Sequence, residues 1–359
     1  RIERLFYVRV KMLTNALNDG LGLVERLLTT LDFGDTKRLE QVLQETRNDL
    51  EANVIPTGHY YASLRAAAAI SPLSAIEERV NGLSQLEMLR EIASAEQLVE
   101  LFRWTTNTVL NTASLTANIT ADAETLPAVR TRVSRLIGSV AHHRAAPDSP
   151  MPSVPPARFH RSTREILHAS AMVNYVGLAM PGALLFDERY AGQEVLAQVL
   201  RTGSLWELIR MKGGAYGAMA ASRTMEQLFA MASYRDPHSV QTLDAYRTAL
   251  EQVANEQPEP AGIELSLISM LGRELRPLVP RDQGFVNFKR QLHGTSDELR
   301  QRIRDDLFSV TPKSVQAAAQ QLLSNWDSRS IAIIGGQNAL DTVRTEMKEH
   351  NWSVTELHI

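Results

Sequence analysis

The sequence predicts an α+β fold of two related domains, the first lacking its leading elements. Three observations carry that expectation. Apolar residues alternate in some segments and recur at helical spacing in others. One order of elements (strand, helix, helix, variable segment, helix, strand, helix) runs through the chain twice, a repeat of order rather than of sequence identity. Between the two runs, Pro147, Pro150, Pro152, Pro155 and Pro156 crowd a stretch that can neither continue a helix nor donate to a ladder. That linker divides the chain into domains 1–150 and 151–359.

The first run opens with strict alternation. Phe6, Val8, Val10 and Met12 face one way, and Tyr7, Arg9 and Lys11 the other, predicting a strand with one buried face. Helices are predicted over Asp19–Leu31 and from Asp35, the second carrying Leu39, Val42, Leu43, Thr46 and Leu50 as a stripe. After a variable segment come a helix over Ala95–Leu110, a strand with Leu115, Ala117 and Ile119 on one side, and a helix from about Glu124 to Ile137.

The second run repeats this order. Gln227–Tyr234 is a strand, and Val240–Val253 and Pro260–Leu275 are helices. Lys313–Leu323 is a helix with Val315, Ala318, Ala319, Leu322 and Leu323 on one face. A strand over Ser330–Ile334 and a helix over Asn338–His350 complete it. This copy carries additional elements in front: a strand over Arg164–Met180, a long helix over Glu188–Lys212 and a strand over Ala215–Arg223. The first copy has no counterpart, and a sheet without its leading strands would expose unpaired edges. The chain is therefore expected to be a fragment, or one subunit, of a longer assembly.

Composition narrows the function classes. With 44% hydrophobic and 22% charged residues, the 359-residue chain has the balance of a globular protein. A formal charge of -3 does not advertise nucleic acid or an anionic membrane as partner. No apolar run approaches a bilayer span, and Arg1–Leu5 matches neither a secretory signal nor a transit peptide. The absence of cysteine removes disulfides, thiolate nucleophiles and cysteine-ligated zinc, and fits a cytoplasmic or other reducing compartment.

The nine histidines lack ligand spacing. Neither His-x-x-Glu-His nor its mirror occurs; His142 and His143 are adjacent, and His160 and His168 stand two helical turns apart. No Gly-x-Ser-x-Gly elbow is present. Gly335-Gly336 follows a buried strand but lacks the remaining glycine of a dinucleotide fingerprint and the lysine of a phosphate loop, so it reads as a tight turn. Arg130, Arg132, Arg135 and Arg144 lack aromatic partners and read as a solvated helix face.

The other glycine pair invites chemistry. In the run from Leu205 to Ala218, Gly213 and Gly214 are expected to supply left-handed geometry that ends a helix. Arg210 and Tyr216 would then fold back toward each other. A guanidinium and a phenol so placed can both donate to one carbonyl oxygen, or to the oxyanion it becomes under attack. Spacing alone favours the plainer reading, in which Arg210 and Lys212 answer the negative end of a helix dipole and Tyr216 is strand packing.

Leu205-Trp206-Glu207 through Gly213-Gly214-Ala215-Tyr216-Gly217 resembles the C-terminal half of presequence proteases, within the pitrilysin/insulinase superfamily of zinc metallopeptidases. Asp236-Pro237 and Thr242–Tyr246 are similar to the same branch, as are Gly58–Ala66, Ser71-Pro72 and Gly82–Leu86 in the first half. The resemblance implies a clamshell of four related α/β-roll domains, each a mostly antiparallel sheet covered by helices. Residues 1–150 would be its third domain and 151–359 its fourth. It further implies zinc on an inverted His-x-x-Glu-His site in an N-terminal half that this chain does not contain, with short unstructured peptides as substrates. Arg210 and Tyr216 would support the transition state, Gly213 and Gly214 would join them in binding substrate, and the chain alone would be inactive. The same resemblance allows a second role, a non-catalytic scaffold or peptide-binding subunit.

Overall fold

The computed structural model describes residues 5–92, 94–109, 115–142, 162–346 and 351–359. The proline-rich stretch, with His143, Arg144 and His160, lies outside these residues. The chain packs as two compact units, each assembled from separated segments.

The larger unit comprises residues 47–88, 157–276 and 298–359. Its centre is one mixed six-stranded sheet built from β1 (Arg164–His168), β2 (Tyr175–Pro181), β3 (Gly217–Arg223), β4 (Leu228–Tyr234), β5 (Ser330–Gly335) and β6 (Ser353–Glu356). The spatial order is β3-β4-β2-β5-β1-β6. Pairing is antiparallel from β3 through β5 and parallel from β5 to β6. The single strand expected over Arg164–Met180 is thus two, because the chain reverses over residues 169–174 and places β1 and β2 on opposite sides of β5.

Period-two alternation sorts the strand residues onto two covered faces. Ile166, Val176, Leu178, Met180, Phe229, Met231, Ile331 and Ile333 share one core with α8 (Tyr190–Thr202), α9 (Val240–Asn255) and α13 (Pro312–Ser324). Leu167, Ala169, Tyr175 and Ile334 pack on the other face against Val54, Tyr61, Ala62, Leu83 and Leu86. Ala66 and Ala67 meet Ala179, Ala230 and Ala332 there. Val54 ends α2 (Thr36–Val54), and the other helical residues belong to α3 (Gly58–Ala68) and α5 (Leu83–Glu91), within the segment left undefined by periodicity. An alanine-rich face lets the α3 backbone lie directly on the sheet; a Cβ at Gly177 would collide with the backbone of Ala62. The remaining helices are α4 (Pro72–Asn81), α10 (Pro260–Glu274), α12 (Asp297–Phe308) and α14 (Gln337–Glu346).

Arg65 ties the second layer together. Its buried guanidinium lies 3.3 Å from Glu78 of α4, Glu87 of α5 and Glu165 of β1. Thr355 donates to the other oxygen of Glu165 at 2.7 Å.

The smaller unit, residues 1–46, 89–156 and 277–297, is helical. α1 (Leu17–Thr29) packs on α7 (Leu126–His142) through Val24, Leu28, Leu136 and Val140. α6 (Ala95–Val109) and α11 (Pro280–Leu292) complete its helices, while α2 (Thr36–Val54) runs through the division between the units. Residues 6–12 and 115–119, expected as strands, form no ladder, and Phe6 stands 65% exposed. The alternating pattern is present, but among the described residues this unit has no strand for either segment to pair with. Among the described residues, one sheet therefore stands where two were expected. No helix among the described residues is long and apolar enough to cross a membrane.

Candidate functional site

The expected Glu188–Lys212 helix is interrupted. α8 stops at Thr202, with Gly203 capping it, and Trp206–Lys212 winds as a π-helical segment. Wider winding of this kind is uncommon and concentrates at functional sites. Leu205 and Ile209 are buried and anchor the segment, whereas Trp206, Glu207, Arg210, Met211 and Lys212 face solvent.

The two glycines end this segment differently from the expectation. Gly214 alone takes left-handed geometry, with φ 77°. Gly213 is right-handed (φ -83°, ψ -16°) and is required for space, because a Cβ there would stand 2.7 Å from the Ile209 carbonyl oxygen. The amides of both glycines donate to the Arg210 carbonyl, and Ala215 donates to Ile209 at 3.0 Å. The glycine N–H groups are thus used within the turn itself. The next amide, Tyr216 N–H, donates to the carbonyls of Tyr234 at 3.0 Å and Arg235 at 3.3 Å, fixing the turn to the end of β4.

This turn brings Arg210 and Tyr216 together: the guanidinium carbon lies 5.7 Å from the phenol ring centre. Tyr216 is 64% exposed and Arg210 is also exposed. Neither side chain has a polar partner among the described residues, whereas neighbouring Lys212 is paired with Glu207 at 2.6 Å. The two donors are free to serve one external acceptor.

Behind Tyr216 stands a group of rings that sequence reading did not single out. Tyr234 meets the Tyr216 ring edge-on at 5.6 Å and 82°, and meets His59 at 4.8 Å and Tyr175 at 5.9 Å. Arg235 lies over Tyr234 at 5.4 Å. Burial pushes the Tyr175 phenol up, and the nearby positive charge of Arg235 opposes the rise. Burial also pushes His59 down. Asp236 turns inward, accepting from the His238 amide at 2.9 Å and the Thr242 hydroxyl at 2.7 Å; burial raises its pKa and these bonds oppose the rise.

The other sequence candidates have structural explanations. His168 bonds Glu356 at 2.7 Å at the sheet edge. Gly335 and Gly336 form a tight strand-to-helix turn in which a Cβ on Gly335 would stand 2.5 Å from the Asn174 side chain. Arg130, Arg132 and Arg135 lie on α7. Among the described residues no group of three or more His, Asp or Glu could hold a metal, so these side chains do not fit a zinc ion.

Comparison with known proteins defines the class. Residues 1–92 match the model for the associated region of peptidase family M16, subfamily C, and residues 164–335 match "PreP C-terminal domain". The chain belongs to the presequence-protease branch, subfamily C of peptidase family M16, and corresponds to its C-terminal region. It is 25% identical over 366 residues to a mitochondrial presequence protease of Xenopus tropicalis, covering 94% of this chain and 35% of that protein. It is 27% identical over 361 residues to the Danio rerio presequence protease, covering 94% and 34%. The chain spans about a third of the length of the curated relatives it matches. Its fold is similar to that of pitrilysin (TM-score 0.56, 14% identity, 95% of this chain and 36% of that one). It is also similar to a peptidase M16 inactive domain from Pseudomonas fluorescens (TM-score 0.53, 14% identity, 89% and 75%).

Proposed function

We propose that this chain is the non-zinc half of a metalloendopeptidase that degrades short unstructured peptides, and that Arg210 and Tyr216 hold the carbonyl under attack. Residues 1–150 would form the third domain of a clamshell and 151–359 the fourth. The N-terminal half would be its partner and would carry the zinc, which supplies Lewis-acid polarisation when bound. The work of this chain is electrostatic. The Arg210 guanidinium and the Tyr216 hydroxyl donate hydrogen bonds that strengthen as the carbonyl oxygen gains negative charge, stabilising the transition state more than the bound peptide. Gly213 and Gly214 contribute by forming the turn that aims both donors.

The reading is supported by two exposed donors, without polar partners among the described residues, on a turn fixed to the sheet that sets the Arg210 guanidinium carbon 5.7 Å from the Tyr216 ring centre. In the complete enzyme, Arg210→Ala or Tyr216→Phe should lower turnover by one to several orders of magnitude with zinc content unchanged. Normal turnover in both variants would refute the assignment. If no zinc-carrying half is encoded with or near this chain, the alternative of a peptide-binding or scaffold subunit takes its place.

A further inference from the structure

Arg235 holds a backbone conformation that a residue with a side chain rarely adopts. Its φ is 49°, immediately after β4, where glycine or asparagine would sit without comparable cost. Strain at a non-glycine position persists when something else requires the side chain. The turn itself needs no arginine here, because the contact with Tyr216 uses the Arg235 carbonyl, which every residue possesses.

What arginine adds is a placed cation. The guanidinium lies over the Tyr234 ring at 5.4 Å, so that ring orients it while the residue stays exposed. No carboxylate among the described residues neutralises it. The adjacent acid, Asp236, is buried and committed to His238 and Thr242. Contacts of 5.7, 5.6 and 5.4 Å link Arg210, Tyr216, Tyr234 and Arg235 in sequence, setting a second cation beyond the Arg/Tyr pair on the same surface.

We propose that Arg235 is a specificity residue that binds a carboxylate of the peptide held at Arg210 and Tyr216. This rests on the function proposed above and names the chemistry of one end of that site. A guanidinium pre-oriented by stacking loses little freedom on binding and offers a fork that matches a carboxylate. The carboxylate comes from the peptide's C-terminus or from an acidic side chain.

The test measures fluorescence anisotropy with the protein as it is encoded, metal chelated so that nothing is cut. The probe is an unstructured, labelled twelve-residue peptide in three forms: free C-terminus, C-terminal amide, and amide with one internal glutamate. The free-carboxylate or glutamate form should bind about tenfold more tightly than the plain amide, as one charge-assisted hydrogen bond supplies, and Arg235→Gln should erase that difference. Whichever of the two forms is favoured identifies the source. Arg235→Gly should erase it too while leaving Tm unchanged or higher, because glycine relieves the strained φ. Equal binding of all three forms, or a preference surviving both substitutions, would overturn the inference. If Arg210→Ala weakens every form while Arg235→Gln changes none, only the Arg235 role fails. The function proposed above is judged separately, by turnover of the complete enzyme: normal turnover in Arg210→Ala and Tyr216→Phe would refute it, whatever the binding of the three forms.

Discussion

Removing the Tyr216 hydroxyl isolates one donor with little structural disturbance. The Tyr216 ring meets Tyr234 edge-on at 5.6 Å, and its amide is held by the carbonyls of Tyr234 and Arg235. Tyr216→Phe keeps the ring, the amide and the contact with Arg210. The hydroxyl has no hydrogen-bond partner among the described residues, so its loss should shift Tm by no more than about 1 °C, within the usual ±0.5 kcal/mol of exposed substitutions. Deleting one donor to an oxyanion costs about 2.7–4 kcal/mol, or 10²–10³ in kcat. A donor that strengthens only as charge develops should leave KM almost unchanged. The assay is steady-state cleavage of a fluorogenic peptide by the complete enzyme, with a melting curve alongside. A normal kcat, or a loss carried wholly by KM, would refute the role; a large fall in Tm would show the hydroxyl to be structural instead.

Four further outcomes follow from the geometry. Gly214→Ala forces a Cβ into a φ of 77° and should cost about 1–2 kcal/mol by denaturant titration, with turnover falling further than stability alone explains because Tyr216 moves. Arg65→Ala strands three carboxylates, two of them almost fully buried, and should destabilise by about 3–5 kcal/mol, whereas Arg38→Ala on an exposed pair should cost under about 1 kcal/mol. Gly177→Val drives a side chain into the α3 backbone and should cost about 1–3 kcal/mol or more, read as a lowered Tm. Burial pushes half-buried Glu194 up to about 7 from its ordinary 4.5. The folded chain then holds this proton more tightly than the unfolded one, so its contribution is fully present below about pH 4.5 and lost as pH rises through 7. Glu194→Gln should therefore raise Tm at pH 8 and converge with the parent near pH 4.5; a gain that is independent of pH would contradict this.

Much of the larger unit was legible because burial imposes a period on it. β4, α9, α10, α13 and β5 fall where alternation and helical stripes put them, since each buries a defined face. Periodicity failed where tertiary pairing decides. Apolar residues recur along the run 164–180 and conceal the reversal that splits β1 from β2. Residues 6–12 alternate as well as any strand, yet a ladder needs a neighbour. α12 was missed because its sequence is dominated by charge, with Arg300, Arg302, Arg304, Asp305 and Asp306 obscuring the stripe.

The candidate site was legible in part for the same reason. Gly213-Gly214 marked the end of a helix, which placed Arg210 and Tyr216 on one turn. Tyr234 and Arg235 arrive from the far end of a hairpin, and only the β3–β4 register, Gly217 opposite Tyr234, brings them beside Tyr216. The signal available was local: an arginine between a strand and Asp236-Pro237, in a turn that favours smaller residues. The π winding of Trp206–Lys212 has no equivalent sequence signal, because its residues suit an α-helix equally well.

The most direct measurement is a double-mutant cycle on kcat for Arg210→Ala and Tyr216→Phe in the complete enzyme. Two donors that hold one oxygen share a single task, so the double variant should be little slower than the worse single variant, with strong coupling between the substitutions. Effects that multiply independently would mean that the guanidinium and the phenol act on different atoms, contradicting the central claim.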